Sequence, residues 1–336
     1  MDTNSLEKRW DELYKEASSS SDPISRVYGA LGGTAIGVRA GFVPIDETYE
    51  LLIEIPSDRE DLTLPEWRGL QLEEISLRIQ SRDTNQLRFI LVDIESKEIF
   101  LCLASDLVSS LEDVTDQSVR MVKIAECLDR WSSFFARTRS TGLPETAQRG
   151  LIAELVWIEQ LLDIGLDGAE CVKAWQGCRQ AYHDYDHSGR VVEIKSTIGK
   201  EPRRVWINNE RQLDDRGLVS LHLFVVTFQE VQSGRALPEV IEQIRQRFES
   251  SVITLAQFNR NLISAGYLDV HEAKYSTAYI VKEKDIFMVV DGFPRLLSVP
   301  EGVGNLRYSI VLGACQNFKV YVDDILRLIL EDADVG

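Results

Sequence analysis

The run from Leu218 to Phe228 constrains the fold more than any other part of the sequence, because it is the most apolar segment of the chain. An apolar run of this kind, followed by polar residues, is typical of a strand that is buried on both faces. Such a strand needs packing partners above and below its sheet. The sequence therefore predicts a buried strand here.

Length and composition limit the classes of protein to consider. The chain has 336 residues, enough for two domains or three. Apolar residues make up 44 % and charged residues 27 %, which excludes a mainly disordered or fibrous chain. We find no apolar run long enough to span a membrane, no signal peptide at the N-terminus and no C-x-x-C pair among the five cysteines. We therefore expect a cytoplasmic protein with reduced thiols and no membrane association.

Turn residues divide the chain into three predicted regions, with boundaries near residues 140 and 235. Residues 1–140 form a β-rich domain, with strands at 35–39, 49–55, 87–94 and 98–103, a hairpin at Glu95–Lys97 and helices within 1–25 and 117–139. Residues 141–235 contain a helix at 145–164, strands at 171–175, 191–195 and 203–207, a short helix at 208–216 and the buried strand. Residues 236–336 form an α+β extension with helices at 237–249, 252–264 and 323–330 and a hairpin at 275–291, an order that resembles a winged-helix module.

The segment from His183 to Ser196 contains the combination of acidic and basic residues that is best suited to catalysis. In a strand, alternate side chains share a face, so Glu193 and Lys195 point to one side and Val192 and Ile194 to the other. An aspartate lies shortly upstream, either Asp184 or Asp186. Both positions suit the same face, because they are two residues apart.

Two carboxylates and a lysine are suited to phosphodiester hydrolysis. Carboxylate oxygens are ligands that Mg²⁺ prefers, and the bound metal polarises phosphate and acidifies water. A neighbouring lysine orients or deprotonates the attacking water and stabilises developing charge. The tripeptide alone is not specific, because Glu95-x-Lys97 and Glu272-x-Lys274 have the same spacing. Only Glu193-x-Lys195 combines an alternating strand with an upstream aspartate.

The order of elements and these motifs resemble the PD-(D/E)xK nuclease superfamily, and in particular the PD-(D/E)xK-motif proteins of bacterial restriction and phage-defence gene clusters. The resemblance is best over residues 143–228. The matching segments are Gly150–Leu155, Trp175–Gly177, His183–Tyr185, Val192–Ser196, Asn209–Leu213 and Phe293–Arg295. The resemblance implies an α/β fold with a restriction-endonuclease-like core, in which helices flank a mixed sheet.

The resemblance also implies roles for individual residues. Asp184 and Glu193 hold Mg²⁺, for which Mn²⁺ substitutes, and Lys195 is the catalytic lysine. Glu154, on the preceding helix, matches an additional acidic residue of the site. His183 stands where the family has proline, which is not a ligand. Gln212 is a candidate contact to phosphate or to metal-bound water, and Asp186 remains the alternative to Asp184.

Charge bears on the partners that the chain can bind. The net charge is −17, which disfavours tight, unaided binding to nucleic acid. Between His187 and Leu213, however, the sequence has six basic residues and only three acidic ones. Arg203, Arg204 and Trp206 in this segment are candidates to contact the phosphates of a nucleic acid.

We therefore expect a Mg²⁺-dependent DNA endonuclease that acts with a partner subunit or as a homodimer. A non-catalytic scaffold or specificity subunit of a defence complex is the alternative, and the three candidate residues do not distinguish DNA from RNA.

Overall fold

A computed structural model describes most of the chain. The described residues are 3–18, 27–30, 37–43, 47–56, 64–67, 69–79, 82–112, 114–137, 142–179, 182–199, 201–298 and 306–335. The chain divides into two compact units, residues 1–140 and 141–336. Among the helices in the described ranges, none is long and apolar enough to cross a membrane.

In its described residues, the first unit combines an antiparallel sheet with three α-helices. Its elements are α1 (Thr3–Ser18), β1 (Val27–Ala30), β2 (Val38–Val43), β3 (Thr48–Ile55), β4 (Leu70–Ile79), β5 (Arg82–Leu91), α2 (Lys97–Leu111) and α3 (Gln117–Arg137). The strands form one sheet in the order β1-β2-β3-β5-β4. Of the predicted strand at 35–39, residues 35 and 36 lie outside the described residues.

The predicted strand at 98–103 and the hairpin before it are wrong, because α2 occupies this segment. The carboxylate of Asp93 accepts the N–H of Glu95 at 3.1 Å and begins a short 3₁₀ turn that leads into the helix. Ile99, Phe100 and Leu103 are all buried, at a spacing that suits one face of a helix. A short apolar run fits either element by its pattern, and here tertiary packing favours the helix.

The second unit contains a mixed five-stranded sheet. Its elements are α4 (Glu145–Asp163), α5 (Gly168–Ala174), β6 (Tyr185–His187), β7 (Arg190–Ile198), β8 (Arg204–Ile207), β9 (Ser220–Arg235), α6 (Leu237–Arg247), α7 (Val252–Ser264), β10 (Tyr279–Met288), β11 (Tyr308–Val311), β12 (Lys319–Val320) and α8 (Val322–Val335). The strand order is β12-β10-β9-β7-β6, in which β7 and β9 are parallel and the other pairs antiparallel. β8 and β11 form a separate two-stranded sheet.

Both faces of the central strand β9 are buried, as the apolar run predicts. Phe224 and Val226 pack into one core with Trp157 of α4, where the rings of Trp157 and Phe224 are 4.8 Å apart. Leu223 and Val225 pack into a second core on the opposite face, against residues of β8 and β11. The predicted α/β class, with a mixed sheet between packed layers, is confirmed.

Two local predictions in this unit are wrong, and a third, the short helix at 208–216, is confirmed only in part. The segment 171–175 is mostly the helix α5, which Asp167 caps by accepting the N–H of Ala169 at 2.8 Å, and not a strand. The segment 208–216 contains only a 3₁₀ turn at Glu210–Leu213. Residues 275–291, all of which the structure describes, contain the single strand β10 instead of a hairpin, so the winged-helix resemblance loses its basis. Because β10 pairs with β9, the sheet includes strands from both sides of residue 235, and a domain boundary there stays a prediction.

Candidate functional site

Glu193 and Lys195 lie side by side on one face of β7. Val192 and Ile194 point to the opposite face and belong to the core that packs against α4, as the alternation predicts. The side chain of Glu193 is 0 % exposed and that of Lys195 is 15 % exposed. The ammonium of Lys195 donates a hydrogen bond to Oε1 of Glu193. The sheet therefore holds a cation and a carboxylate together in a place with little access for water.

Asp184 joins this pair because β6 is antiparallel to β7. Tyr185 pairs with Val192, and this register brings the preceding residue beside Glu193. Oδ2 of Asp184 accepts the backbone N–H of Ile194 at 2.7 Å and lies 4.0 Å from Nζ of Lys195. The carbonyl of Asp184 accepts the N–H groups of Gln176 and Gly177 at 2.9 and 2.8 Å. Backbone hydrogen bonds thus hold Asp184 in position from both sides.

Asp186, the alternative from the sequence, has a different environment. Its carboxylate accepts the N–H of Gly189 at 2.9 Å and stabilises the turn between β6 and β7. Ser188 and Gly189 both have positive φ in this turn, +52° and +82°. The structure brings Asp184, and not Asp186, to Glu193 and Lys195.

Glu154 reaches the same place from α4. Its Oε2 accepts the indole N–H of Trp175 at 2.7 Å. Both Glu154 and Asp184 crowd against Gly177, where an added Cβ would lie 2.6 Å from Oε2 of Glu154 and 3.0 Å from Oδ1 of Asp184. Sequence reasoning noted the Trp175–Gly177 segment only as part of the resemblance and missed its contribution. Trp175 orients the carboxylate of Glu154, and Gly177, which has no side chain, leaves room for the carboxylates of Glu154 and Asp184.

Burial and the charges of neighbouring groups shift the pKa values of Glu193 and Lys195. Burial raises the pKa of Glu193 well above its ordinary value, and the charges of Asp184 and Glu154 raise it further against the opposing effect of Lys195. Burial by itself lowers the pKa of Lys195, but Glu193, Asp184 and Glu154 outweigh it, so the net pKa is raised. Lys195 is therefore an ammonium at neutral pH. Strong shifts from burial and specific charges are typical of functional sites.

The carboxylates suit a hard divalent cation. Oε2 of Glu193 is buried and has no hydrogen-bond partner among the described residues. Within the same residues, no three His, Cys, Asp or Glu side chains are already grouped as a metal site. Mg²⁺ does not need such a group, because it is usually held by one or two carboxylates and keeps several water ligands. Asp184 and Glu193 supply oxygens of that kind.

The residues predicted to contact phosphate lie in different environments. Gln212 uses its Oε1 to accept the N–H of Asn208 at 2.8 Å within the turn after β8. Arg203 is engaged inside the protein, since its guanidinium lies 2.8 Å from Asp285 and 2.6 Å from Glu283. Arg204 is exposed on the outer face of β8, next to Trp206. Of the two arginines, Arg204 is the one whose side chain is exposed to solvent.

A mixed α/β sheet with Glu-x-Lys on a central strand and an aspartate beside it defines a protein of the PD-(D/E)xK class. Residues 6–313 match the family model described as "Putative PD-(D/E)XK family member, (DUF4420)". Because this match covers most of the chain, the protein belongs to that family, and the resemblance to the PD-(D/E)xK superfamily is confirmed. Proteins of the PD-(D/E)xK superfamily are in general nucleases that use divalent metal ions. Searches of the curated proteins and of the solved structures returned no match.

Proposed function

We propose that this protein is a Mg²⁺-dependent endonuclease that hydrolyses phosphodiester bonds of DNA, in restriction or phage defence as the resemblance implies. The observation that carries the proposal is the convergence of Glu154 from α4, Asp184 from the residue before β6, and Glu193 and Lys195 from β7. A buried carboxylate oxygen without a partner costs free energy, and such costs are typical of functional sites.

The proposed mechanism divides the work among these side chains. Asp184 and Glu193 would hold the metal ion, and Glu154 would assist from α4. The ion, when bound, polarises the phosphate and acidifies a water molecule. Lys195 orients the attacking water and stabilises the negative charge that develops on the phosphate. The partly exposed side chains of Lys195 and Asp184, at 15 % and 18 %, leave an approach from solvent.

The charge of the molecule bears on how it acts. A net charge of −17 repels DNA at long range, so we propose that a protein partner or a second copy of the chain contributes to binding. Arg204 and Gln212 are the proposed phosphate contacts of this chain. Binding to duplex DNA is expected to be weak and to fall steeply with salt.

The second candidate is a scaffold subunit without catalysis. It is favoured by the acidic surface and by the internal salt bridges of Arg203, which remove that cation from the proposed phosphate contacts. Metal binding distinguishes the two candidates, because a scaffold has no need of it.

The test is a calorimetric titration with Mg²⁺ or Mn²⁺, combined with plasmid nicking on the same samples. The wild type is compared with Glu193→Ala and Glu193→Gln, and with Glu272→Ala as a control from another Glu-x-Lys tripeptide. We expect metal binding and nicking in the wild type and the control, and loss of both in the Glu193 variants. A folded wild type that neither binds metal nor nicks the plasmid would favour the scaffold.

A further inference from the structure

The second unit has a surface groove whose lining includes His183, the residue before Asp184. Its charged and polar lining comes from two segments, Tyr182–His183 and the turn after β8, which contributes Glu210, Arg211, Asp214 and Arg216. The groove has a volume of about 530 Å³, which is within the range of sites for small ligands or single nucleotides. His183, which lines the groove, directly precedes Asp184 of the proposed metal site in the chain.

The two arginines in the groove differ in their partners. Arg216 is paired with both carboxylate oxygens of Asp214, at 2.8 and 3.0 Å from its Nε, and this pairing lowers the pKa of Asp214 to about 2. Arg211 lies over the ring of Tyr182, 4.6 Å from its centroid, and donates a hydrogen bond to the tyrosine hydroxyl. Within the described part of the chain, no carboxylate forms a salt bridge with Arg211.

A tyrosine orients a guanidinium without neutralising it. The ring and the hydroxyl of Tyr182 restrict the side chain of Arg211, and neither is a carboxylate that forms an ion pair with it. Elsewhere around the site, Arg190, Arg203 and Arg295 each form a salt bridge with a carboxylate. In a protein with a net charge of −17, an oriented guanidinium that retains its charge is suited to bind an anion.

The backbone that carries Arg211 is held in place as well. Oδ1 of Asn209 accepts the N–H groups of Arg211 and Gln212, at 3.0 and 3.1 Å. Arg295 fixes the end of the same turn by donating to the carbonyl of Leu213 at 2.7 Å and to Asp215 at 3.0 Å. The guanidinium of Arg211 is thus presented from a preorganised turn, which lowers the entropy cost of binding.

We propose that Arg211, oriented by Tyr182, binds a phosphate next to the scissile phosphodiester, so that the groove holds the flanking nucleotide of the DNA strand. This inference rests on the proposed nuclease function. Guanidinium groups bind phosphate oxygens through paired hydrogen bonds, and such contacts fix the position of a nucleic acid without reading its sequence.

The test is the affinity for a fluorescein-labelled DNA duplex, measured by anisotropy with the full chain in EDTA over a series of salt concentrations. Arg211→Ala is compared with Arg216→Ala, which removes the same charge from the same groove. We expect Arg211→Ala to weaken binding about tenfold and to lower the salt slope by about one, as for the loss of one phosphate contact. Arg216→Ala should stay within about threefold of the wild type with its slope unchanged, because Arg216 is held by Asp214 and makes no phosphate contact in this proposal. Tyr182→Phe should weaken binding less than Arg211→Ala and leave the slope unchanged.

Equal effects of Arg211→Ala and Arg216→Ala on affinity and slope would overturn the inference, because only the long-range charge would then matter. A wild type that fails to bind the duplex at the lowest salt would also overturn it. Failure of the nuclease proposal is distinguishable, since it would appear as DNA binding that depends on Arg211 without nicking in Mg²⁺.

Discussion

At the scale of single residues, Glu193 is buried in a place that disfavours its charged form. Its carboxylate is fully buried, and one of its oxygens has no partner among the described residues. Lys195 compensates this effect only in part, because Asp184 and Glu154 add negative charge nearby. The arrangement stabilises the fold poorly, but it suits the binding of a cation.

The first prediction concerns Glu193→Gln and pH. The pKa of Glu193 is raised above 4.5 in the folded protein, so the unfolded chain loses this proton first as pH rises. The contribution of Glu193 to stability is therefore present below pH 4.5 and is lost as pH rises toward the folded pKa. Glutamine does not titrate, so the stability of Glu193→Gln relative to the wild type should increase as the pH rises above 4.5 toward the folded pKa of Glu193. Denaturant unfolding without metal measures this difference.

Glu272→Gln is the control for this prediction, because Glu272 lies at an exposed position of a 3₁₀ turn. Mg²⁺ should raise the Tm of the wild type and of this control, but not that of Glu193→Gln. A difference between wild type and Glu193→Gln that is independent of pH would show that burial does not perturb Glu193.

The second prediction concerns Gly177→Ala. The new Cβ would lie 2.6 Å from Oε2 of Glu154 and 3.0 Å from Oδ1 of Asp184, so at least one carboxylate must move. We expect nicking to fall about tenfold or more, since small displacements of positioning groups are costly, with a stability loss under about 2 kcal/mol. Gly150→Ala is the control, because an added Cβ there meets nothing within 4 Å. Equal nicking rates for the two variants would contradict the crowding at Gly177.

At the scale of elements, Arg203 secures the start of β8 against the central sheet. Its guanidinium contacts Thr227 of β9 at 3.2 Å and the fully buried Asp285 of β10 at 2.8 Å. Lys319 of β12 also pairs with Asp285. These contacts tie four strands together and give Arg203 a structural role that its sequence position beside Arg204 does not reveal.

The third prediction concerns Arg203→Ala, which leaves Asp285 buried with Lys319 as its remaining cation. We expect a loss of about 3 kcal/mol in the free energy of unfolding, as for a broken buried ion pair. The exposed Arg204 provides the control, and Arg204→Ala should change stability by less than about 0.5 kcal/mol. Adding Asp285→Asn to Arg203→Ala should recover part of the loss, and failure to do so would argue against the pairing.

The same scale explains which elements could be predicted from the sequence. β7 and β9 were predictable because alternation and a long apolar run are signals carried by the strand itself. The segments 98–103 and 171–175 are short apolar runs that suit either a strand or a helix, and they form helices because of what packs against them. The pattern at 275–291 suggests a hairpin, but β10 pairs with β9 and β12, which are distant in sequence.

At the scale of the whole molecule, the proposed site lies within one of the two compact units. Glu154, Asp184, Glu193, Lys195 and Arg211 all belong to residues 141–336. This unit has hydrophobic cores on both faces of its own sheet, which is the usual requirement for independent folding.

The fourth prediction is that residues 141–336, expressed alone, unfold cooperatively and bind Mg²⁺ with the affinity of the full chain. Calorimetry of the fragment beside the full chain measures both properties. Residues 1–140 serve as the control, and they should not bind the metal. A folded fragment that fails to bind Mg²⁺ would mean that residues 1–140 contribute to the site.

The sequence by itself determined that Glu193 and Lys195 share one face of a strand and that the Leu218–Phe228 run is buried. Both follow from the two-residue repeat of a strand and from the hydrophobic effect, which act over short stretches of chain. Only the tertiary structure placed Asp184, and not Asp186, beside Glu193, and brought Glu154 and Gly177 to the same site. It also paired Arg203 with Asp285 and left Arg211 without a carboxylate partner among the described residues. Those outcomes depend on strand register and on packing between segments far apart in sequence, which no local pattern encodes.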